Sequence, residues 1–208
     1  GLEVELQDFN NDGLIDLYFT SNLLPNKMYL NKGNLNFEDI TKKSGTEGRR
    51  GWKTGVSVVD INGDGWLDIY VCYSGDIEPE KRRNQMFINN GPSSSGEITF
   101  KDKAVEMGVA AEGYSTQSAF FDYDNDGDLD LFVLNHNIKA LRNFDASFVK
   151  KMVYHDAGDR LYRNDDNHFT DVTVQAGIIS NPLGYGLSVI VSDLNNDGWA
   201  DLYVSNDY

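Results

Sequence analysis

The sequence predicts an all-β fold, a β-propeller of four-stranded blades, on three observations. An acidic nine-residue loop occurs four times, a β-branched and aromatic run follows each copy, and a second strand–turn–strand motif recurs between copies. Four short antiparallel strands in a repeat of about 50–70 residues make one propeller blade. The runner-up is a linear array of β-sandwich modules, but about 50 residues is too few for a self-sufficient sandwich core.

The clearest copy of the loop is Asp122-Tyr-Asp124-Asn-Asp126-Gly-Asp128-Leu-Asp130. The others are Asp8-Phe-Asn10-Asn-Asp12-Gly-Leu14-Ile-Asp16, Asp60-Ile-Asn62-Gly-Asp64-Gly-Trp66-Leu-Asp68 and Asp193-Leu-Asn195-Asn-Asp197-Gly-Trp199-Ala-Asp201. Oxygen side chains fall at loop positions 1, 3, 5 and 9. Glycine at position 6 supplies the positive φ of a sharp bend. Position 7 varies in chemistry, as expected if only the backbone carbonyl of Leu14, Trp66, Asp128 or Trp199 is used. Closely spaced oxygens on a tight turn suit a hard cation, and Ca²⁺ takes six to eight of them at about 2.3–2.6 Å. Mg²⁺ retains its waters and rarely accepts an all-protein cage. The expected cofactor is therefore calcium, up to four ions. Loop 3 is expected to bind tightest because it has four carboxylates at the ligand positions, with Asp128 in addition. The alternative is metal-free turns, which Asp, Asn and Gly also favour.

The first half of each loop resembles an EF-hand, but the second half does not. An EF-hand places a bidentate Glu at position 12, where this chain has Phe19, Val71, Val133 and Val204. The runs Leu17-Tyr-Phe19, Ile69-Tyr-Val71, Leu131-Phe-Val133 and Leu202-Tyr-Val204 are strands by composition. Apolar segments such as Val56–Val59 and Ser118–Phe121 lead into the loops. The unit is thus strand, cation turn, strand.

Between loops comes the second hairpin. Met28-Tyr-Leu-Asn31 leads to Phe37-Glu-Asp39, Met86-Phe-Ile-Asn89 to Phe100-Lys-Asp102, and Leu161-Tyr-Arg-Asn164 to Phe169-Thr-Asp171. Small-residue turns at Gly45, Gly108 and Gly177 follow, then the pairs Gly51-Trp52, Gly113-Tyr114 and Gly184-Tyr185. The repeats run over 1–50, 51–112, 113–183 and 184–208, the last an inner half. They form one partial propeller, with exposed sheet edges expected at both ends unless other chain covers them.

Three insertions lengthen the later repeats. Residues 74–84 read as a solvated charged loop, and 91–96 as a Pro/Ser/Gly turn. In 135–160, Ile138, Leu141, Phe144 or Asp145, Phe148 and Met152 approximate helical spacing, so an amphipathic helix is expected. Its basic residues Lys139, Arg142, Lys150, Lys151 and Arg160 read as its wet face, or as a surface for an acidic partner or sugar.

The 208 residues carry a net charge of −15. Four divalent ions would offset about half of it, so the acidity belongs largely to the loops and argues against nucleic acid. The one cysteine, Cys72, sits in a strand pattern and reads as a buried thiol. No apolar stretch is long enough to span a bilayer. Calcium loops without disulfides suit an extracytoplasmic bacterial protein, periplasmic, secreted or on the cell surface.

Taken together, the loop, its Gly-aromatic lead-in and the Leu-Tyr-x-Asn…Phe-x-Asp-Val-Thr element resemble the FG-GAP/VCBS repeat, most closely its bacterial cartilage acidic protein-like, ASPIC/UnbV-associated branch. The resemblance covers the whole chain. It implies a seven-bladed calcium propeller on an extracytoplasmic protein, in some relatives beside outer-membrane uptake systems. It is more distant to the integrin α-subunit propeller, and the literal Phe-Gly and Gly-Ala-Pro signatures are absent.

The function expected is a non-catalytic binding or scaffold module that meets a protein or glycan through a propeller face. Two others remain open. One is a calcium-dependent lyase acting on uronic acid glycans, with His136, Lys139, Arg142 and His155 as candidates. The other is a structural subunit of an outer-membrane complex.

Overall fold

The computed structural model describes residues 3–139 and 146–207. Three four-stranded antiparallel sheets and one two-stranded sheet follow each other along the chain. Blade 1 is β1 (Val4–Gln7), β2 (Asp16–Phe19), β3 (Lys27–Asn31) and β4 (Phe37–Asp39). Blade 2 is β5 (Trp52–Val59), β6 (Asp68–Ser74), β7 (Gln85–Pro92) and β8 (Ile98–Asp102). Blade 3 is β9 (Ser115–Phe121), β10 (Asp130–Asn135), β11 (Arg160–Asp165) and β12 (His168–Asp171). The fourth sheet pairs β13 (Gly186–Ser192) with β14 (Asp201–Asn206).

The register repeats with the sequence. Leu17 faces Tyr29, Ile69 faces Phe87, and Leu131 faces Tyr162. Blades 2 and 3 are covered on both faces, so β6 and β10 are buried at every residue, whereas β2 and β3 of blade 1 alternate. The face with Tyr18, Met28 and Leu30 packs on Ile69, Val71 and Phe87 of blade 2. Tyr70, Cys72 and Met86 pack in turn on Leu131 and Val133 of blade 3. Phe132 and Leu134 then meet Val189, Leu202 and Val204. Cys72 is fully buried and unpaired, as expected. At the same repeat position Tyr18 and Tyr70 are 0% exposed, Phe132 2% and Tyr203 62%. Leu187, Ile190, Val4 and Leu6 are exposed on the outer sheets as well.

The first strands of successive blades lie side by side. Thr54 Oγ1 donates to the Ser115 carbonyl at 2.7 Å, and Thr116 Oγ1 to that of Gly186 at 3.1 Å. A Cβ on Gly55 would stand 2.4 Å from the Thr116 oxygen, so only glycine allows β5 and β9 to approach this closely.

The recurring Phe-x-Asp ends in an Asx turn. Asp39, Asp102 and Asp171 each accept the amide two residues on, at 3.0, 3.1 and 3.0 Å. In blades 1 and 2 a single helical turn follows, α1 (Thr41–Ser44) and α2 (Ala104–Met107). Gly45 and Gly108 close these turns at φ 78° and 86°. The sequence reading had the glycines but not the helical turns.

One reading of the insertions is corrected in part. In 74–84 the solvated part is Asp76 and Glu78 with the 3-10 turn Pro79–Lys81, and the end of the stretch is not. Arg82 is buried and stacked 4.4 Å above the Tyr114 ring. Its Nε donates to the Glu112 carbonyl at 2.6 Å, and Nη1 to that of Ile77 at 2.6 Å. Its Nη2 lies 3.0 Å from Asp156 Oδ2, within ion-pair distance though off hydrogen-bond geometry. In 135–160 the short amphipathic helix expected falls largely on residues 140–145, which lie outside the described ones. One turn, α3 (Ala146–Val149), is present. Asn135 ends β10, His136 bridges to Tyr185, and Ile138 is 39% exposed. Leu141, Arg142, Phe144 and Asp145 lie outside the described residues, as does the side chain of Phe148. Of the basic residues in this stretch, Arg160 is buried, whereas Lys139, Lys150 and Lys151 are exposed.

Candidate metal centre

Each loop is wound by its own carboxylates. The position-1 Asp accepts two amides. For Asp8 they come from Asp12 and Gly13 at 3.1 and 2.7 Å, and for Asp60 from Asp64 and Gly65 at 3.1 and 2.9 Å. For Asp122 they come from Asp126 and Gly127 at 3.1 and 3.0 Å, and for Asp193 from Asp197 and Gly198 at 3.1 and 2.9 Å. The position-5 carboxylates of Asp12, Asp64, Asp126 and Asp197 each accept the position-7 amide at 2.9 Å. Glycine at position 6 has φ between 83° and 99°. Position 4 is also left-handed: Asn11 at 54°, Gly63 at 67°, Asn125 at 60° and Asn196 at 59°.

The position-9 Asp joins the loop to the blade. Its Oδ2 accepts the position-2 amide: Phe9 to Asp16 at 3.0 Å, Ile61 to Asp68 at 3.1 Å, Tyr123 to Asp130 at 2.7 Å and Leu194 to Asp201 at 3.0 Å. In the first three blades Oδ1 also accepts an amide from the third strand, Asn31 at 2.8 Å, Asn89 at 2.7 Å and Asn164 at 2.8 Å. Those asparagines return the bond. Their Nδ2 groups reach the carbonyls of Ile15, Leu67 and Leu129 at 3.0, 3.2 and 3.1 Å. The sequence showed these asparagines recurring but not what they hold. Asp16, Asp68 and Asp130 are fully buried. Burial raises Asp16 and pushes Asp68 up to about 7 and Asp130 to about 6, against the opposing effect of the backbone hydrogen bonds. A bound cation would reverse that shift.

Position 3 separates the loops. Asn10, Asn62 and Asn195 donate from Nδ2 to the position-5 carboxylate at 3.0, 2.8 and 3.0 Å. In loop 3 the residue is Asp124, which has no donor to offer. Oxygens of Asp122, Asp124 and Asp130 lie within 4.8 Å of one another, the one such convergence among the described residues. Asp124 Oδ1 is buried without a hydrogen-bond partner. Burial raises its pKa first, and the charges of Asp126 and Asp122 add to that. An oxygen-only donor set with an orphaned carboxylate oxygen fits a divalent cation. Asp128 turns its side chain elsewhere, accepting the Asp166 amide at 3.2 Å.

The residues considered for lyase chemistry are engaged in other contacts. Lys139 pairs with Asp76, His136 meets Tyr185 edge-on at 5.4 Å, and His155 Nδ1 lies 2.6 Å from Arg160 Nη2. Arg142 is outside the described residues.

The chain is similar to mouse cartilage acidic protein 1, 28% identical over 92% of this chain and 26% of the relative. The human protein is 27% identical over the same shares. The chain thus spans about a quarter of the length of the curated relatives it matches. A solved structure concerning recognition of non-reducing terminal N-acetylglucosamine by an Agrocybe aegerita lectin aligns at a TM-score of 0.44. Its identity is 20%, over 96% of this chain and 45% of that one. The model of the FG-GAP-like repeat family matches residues 8–71 and 152–204, more than half of the chain. The chain belongs to the FG-GAP-like repeat family.

Proposed function

We propose that this chain is a calcium-dependent, non-catalytic binding or scaffold module of an extracytoplasmic, bacterial protein, meeting a protein or glycan through a propeller face. The observation that carries the calcium reading is Asp124. Its buried Oδ1 has no partner while the carboxylates of Asp122 and Asp130 converge beside it. Like charges so placed repel unless a cation joins them. The position-1, -3, -5 and -9 side chains of each loop would hold the ion, from Asp8, Asn10, Asp12 and Asp16 to Asp193, Asn195, Asp197 and Asp201. The position-7 carbonyls would complete the cage.

Bound calcium here acts through stability. A site with Kd of about 10 µM in about 1 mM calcium adds about 2.7 kcal/mol. The scaffold role is supported by the position-9 ligands, because Asp16, Asp68 and Asp130 also tie the first three hairpins to their third strands. The chain's one cysteine is buried and free, which suits export without a disulfide framework. The test is thermal melting and metal analysis after gel filtration in calcium and in chelator. The expected result is bound calcium and a sharp fall in Tm on chelation. Equal melting with no retained ion would overturn the reading.

A further inference from the structure

The cation loops of neighbouring blades touch through one residue. Asn11, position 4 of loop 1, donates from Nδ2 to the Gly65 carbonyl of loop 2 at 3.0 Å. Asn125, position 4 of loop 3, makes the same bond to the Gly198 carbonyl of loop 4 at 3.4 Å. Loop 2 has Gly63 at this position and no side chain to extend. Between loops 2 and 3 there is instead a cleft of 310 Å³, lined in part by Asp60, Gly63, Gly127 and Asp128.

The accepting carbonyl belongs to a peptide unit that the next loop uses. The Gly65–Trp66 unit receives Asn11 on its oxygen and gives its N–H to Asp64 Oδ1 at 2.9 Å. The Gly198–Trp199 unit is held between Asn125 and Asp197 in the same way. A hydrogen bond on the carbonyl polarises the N–H of its own peptide, so the two bonds reinforce each other. On the donor side, Asn11 stands between Asn10 and Asp12, two candidate ligands of its own loop. An ion that fixes loop 1 therefore fixes Asn11, which in turn fixes the peptide feeding position 7 of loop 2.

The geometry points to pairwise coupling of the cation sites: loops 1 and 2 bind as one pair and loops 3 and 4 as another, with Gly63 as the break between the pairs. This inference rests on the cation reading of the loops. Coupling is reciprocal. Its size is that of one exposed neutral hydrogen bond, about threefold in affinity.

Terbium luminescence sensitised by tryptophan tests it. Trp66 sits in loop 2 and Trp199 in loop 4, while Trp52 starts β5 at the far end from its loop. In a Trp199→Phe background, with tryptophan excited selectively, Trp66 reports loop 2 with a contribution from the adjoining loop 1, which Asp8→Ala removes. Emptying loop 1 with Asp8→Ala is expected to weaken terbium binding at loop 2 about threefold. Asn11→Gly keeps the left-handed backbone and removes only the donor. It is expected to give the same loss alone, and no further loss when added to Asp8→Ala. Gly63→Asn has open space around its Cβ and a compatible φ of 67°. It is expected to make loop 2 respond to Asp122→Ala in loop 3, which it otherwise ignores. Loop 2 affinity unchanged by both Asp8→Ala and Asn11→Gly overturns the coupling and leaves the cation reading standing. No terbium signal in the parent overturns both.

Discussion

Asp68 Oδ1 accepts the Asn89 amide at 2.7 Å, and Asn89 Nδ2 reaches back to the Leu67 carbonyl at 3.2 Å. The cation loop and the third strand of blade 2 are therefore clasped by the carboxylate that ends the loop and an asparagine 21 residues on. Blades 1 and 3 carry the same clasp.

Asp68→Ala is expected to cost more than a metal ligand would. It leaves the Ile61 and Asn89 amides without their acceptor in a buried site, at about 1–3 kcal/mol each. Urea unfolding in chelator should show the loss at full size. Asp64→Ala, at an exposed ligand position, should lose stability chiefly when calcium is present.

Asp124→Asn should separate affinity from stability. The amide can donate to Asp126 as Asn10 does to Asp12. The metal-free protein should gain about 1 kcal/mol, while calorimetry should show weaker calcium binding at loop 3. A loss of stability in chelator would contradict the account of position 3.

Loop 3 has the most ligand carboxylates, so its ion should contribute most. Asp126→Ala is expected to lower Tm in calcium more than Asp12→Ala does. In chelator the two variants should converge.

Asp159 gives a pH test away from the loops. Burial pushes its carboxyl up to about 6, opposed by the hydrogen bond from the Asn135 amide. A raised folded pKa means stability that is present in full below about 4 and is lost as pH rises through about 6. Asp159→Asn keeps an acceptor without the charge. It should match the parent at pH 4 and exceed it at pH 8 by about 1–2 kcal/mol, measured by urea unfolding in chelator.

Arg82 joins the 74–84 insertion to blade 3. Truncation to Ala removes its hydrogen bonds to Ile77 and Glu112, its contact with Asp156 and its stack on Tyr114. A loss of about 2–3 kcal/mol is expected, from the two carbonyls left without their donor; Asp156, half-exposed, is screened by solvent and adds little. Lys should not rescue it, because an ammonium lacks the planar fork.

The loops and strands were legible because their signals are local. The Asp, Asn and Gly of Asp122–Asp130 bond to each other within nine residues, and the runs after each loop are β-branched and aromatic. The clasp was half legible. Asn31, Asn89 and Asn164 stood out by recurrence, but they lie 15, 21 and 34 residues from their aspartates, so no fixed spacing named the partner. Arg82 was not legible. A lone arginine in a charged run reads as solvated, and only the approach of Tyr114, Glu112 and Asp156 from another blade buries it. The helical reading of 135–160 meets the described residues only at the turn Ala146–Val149, while Asn135 and His136 at its start belong to sheet pairing.

The clasp at position 9 gives one carboxylate two duties: its amide bonds close the seam between the second and third strands, and under the calcium proposal the same group would also face the ion. Those bonds need no ion, so a protein stripped of calcium would keep that seam and lose order first at the exposed loop tips.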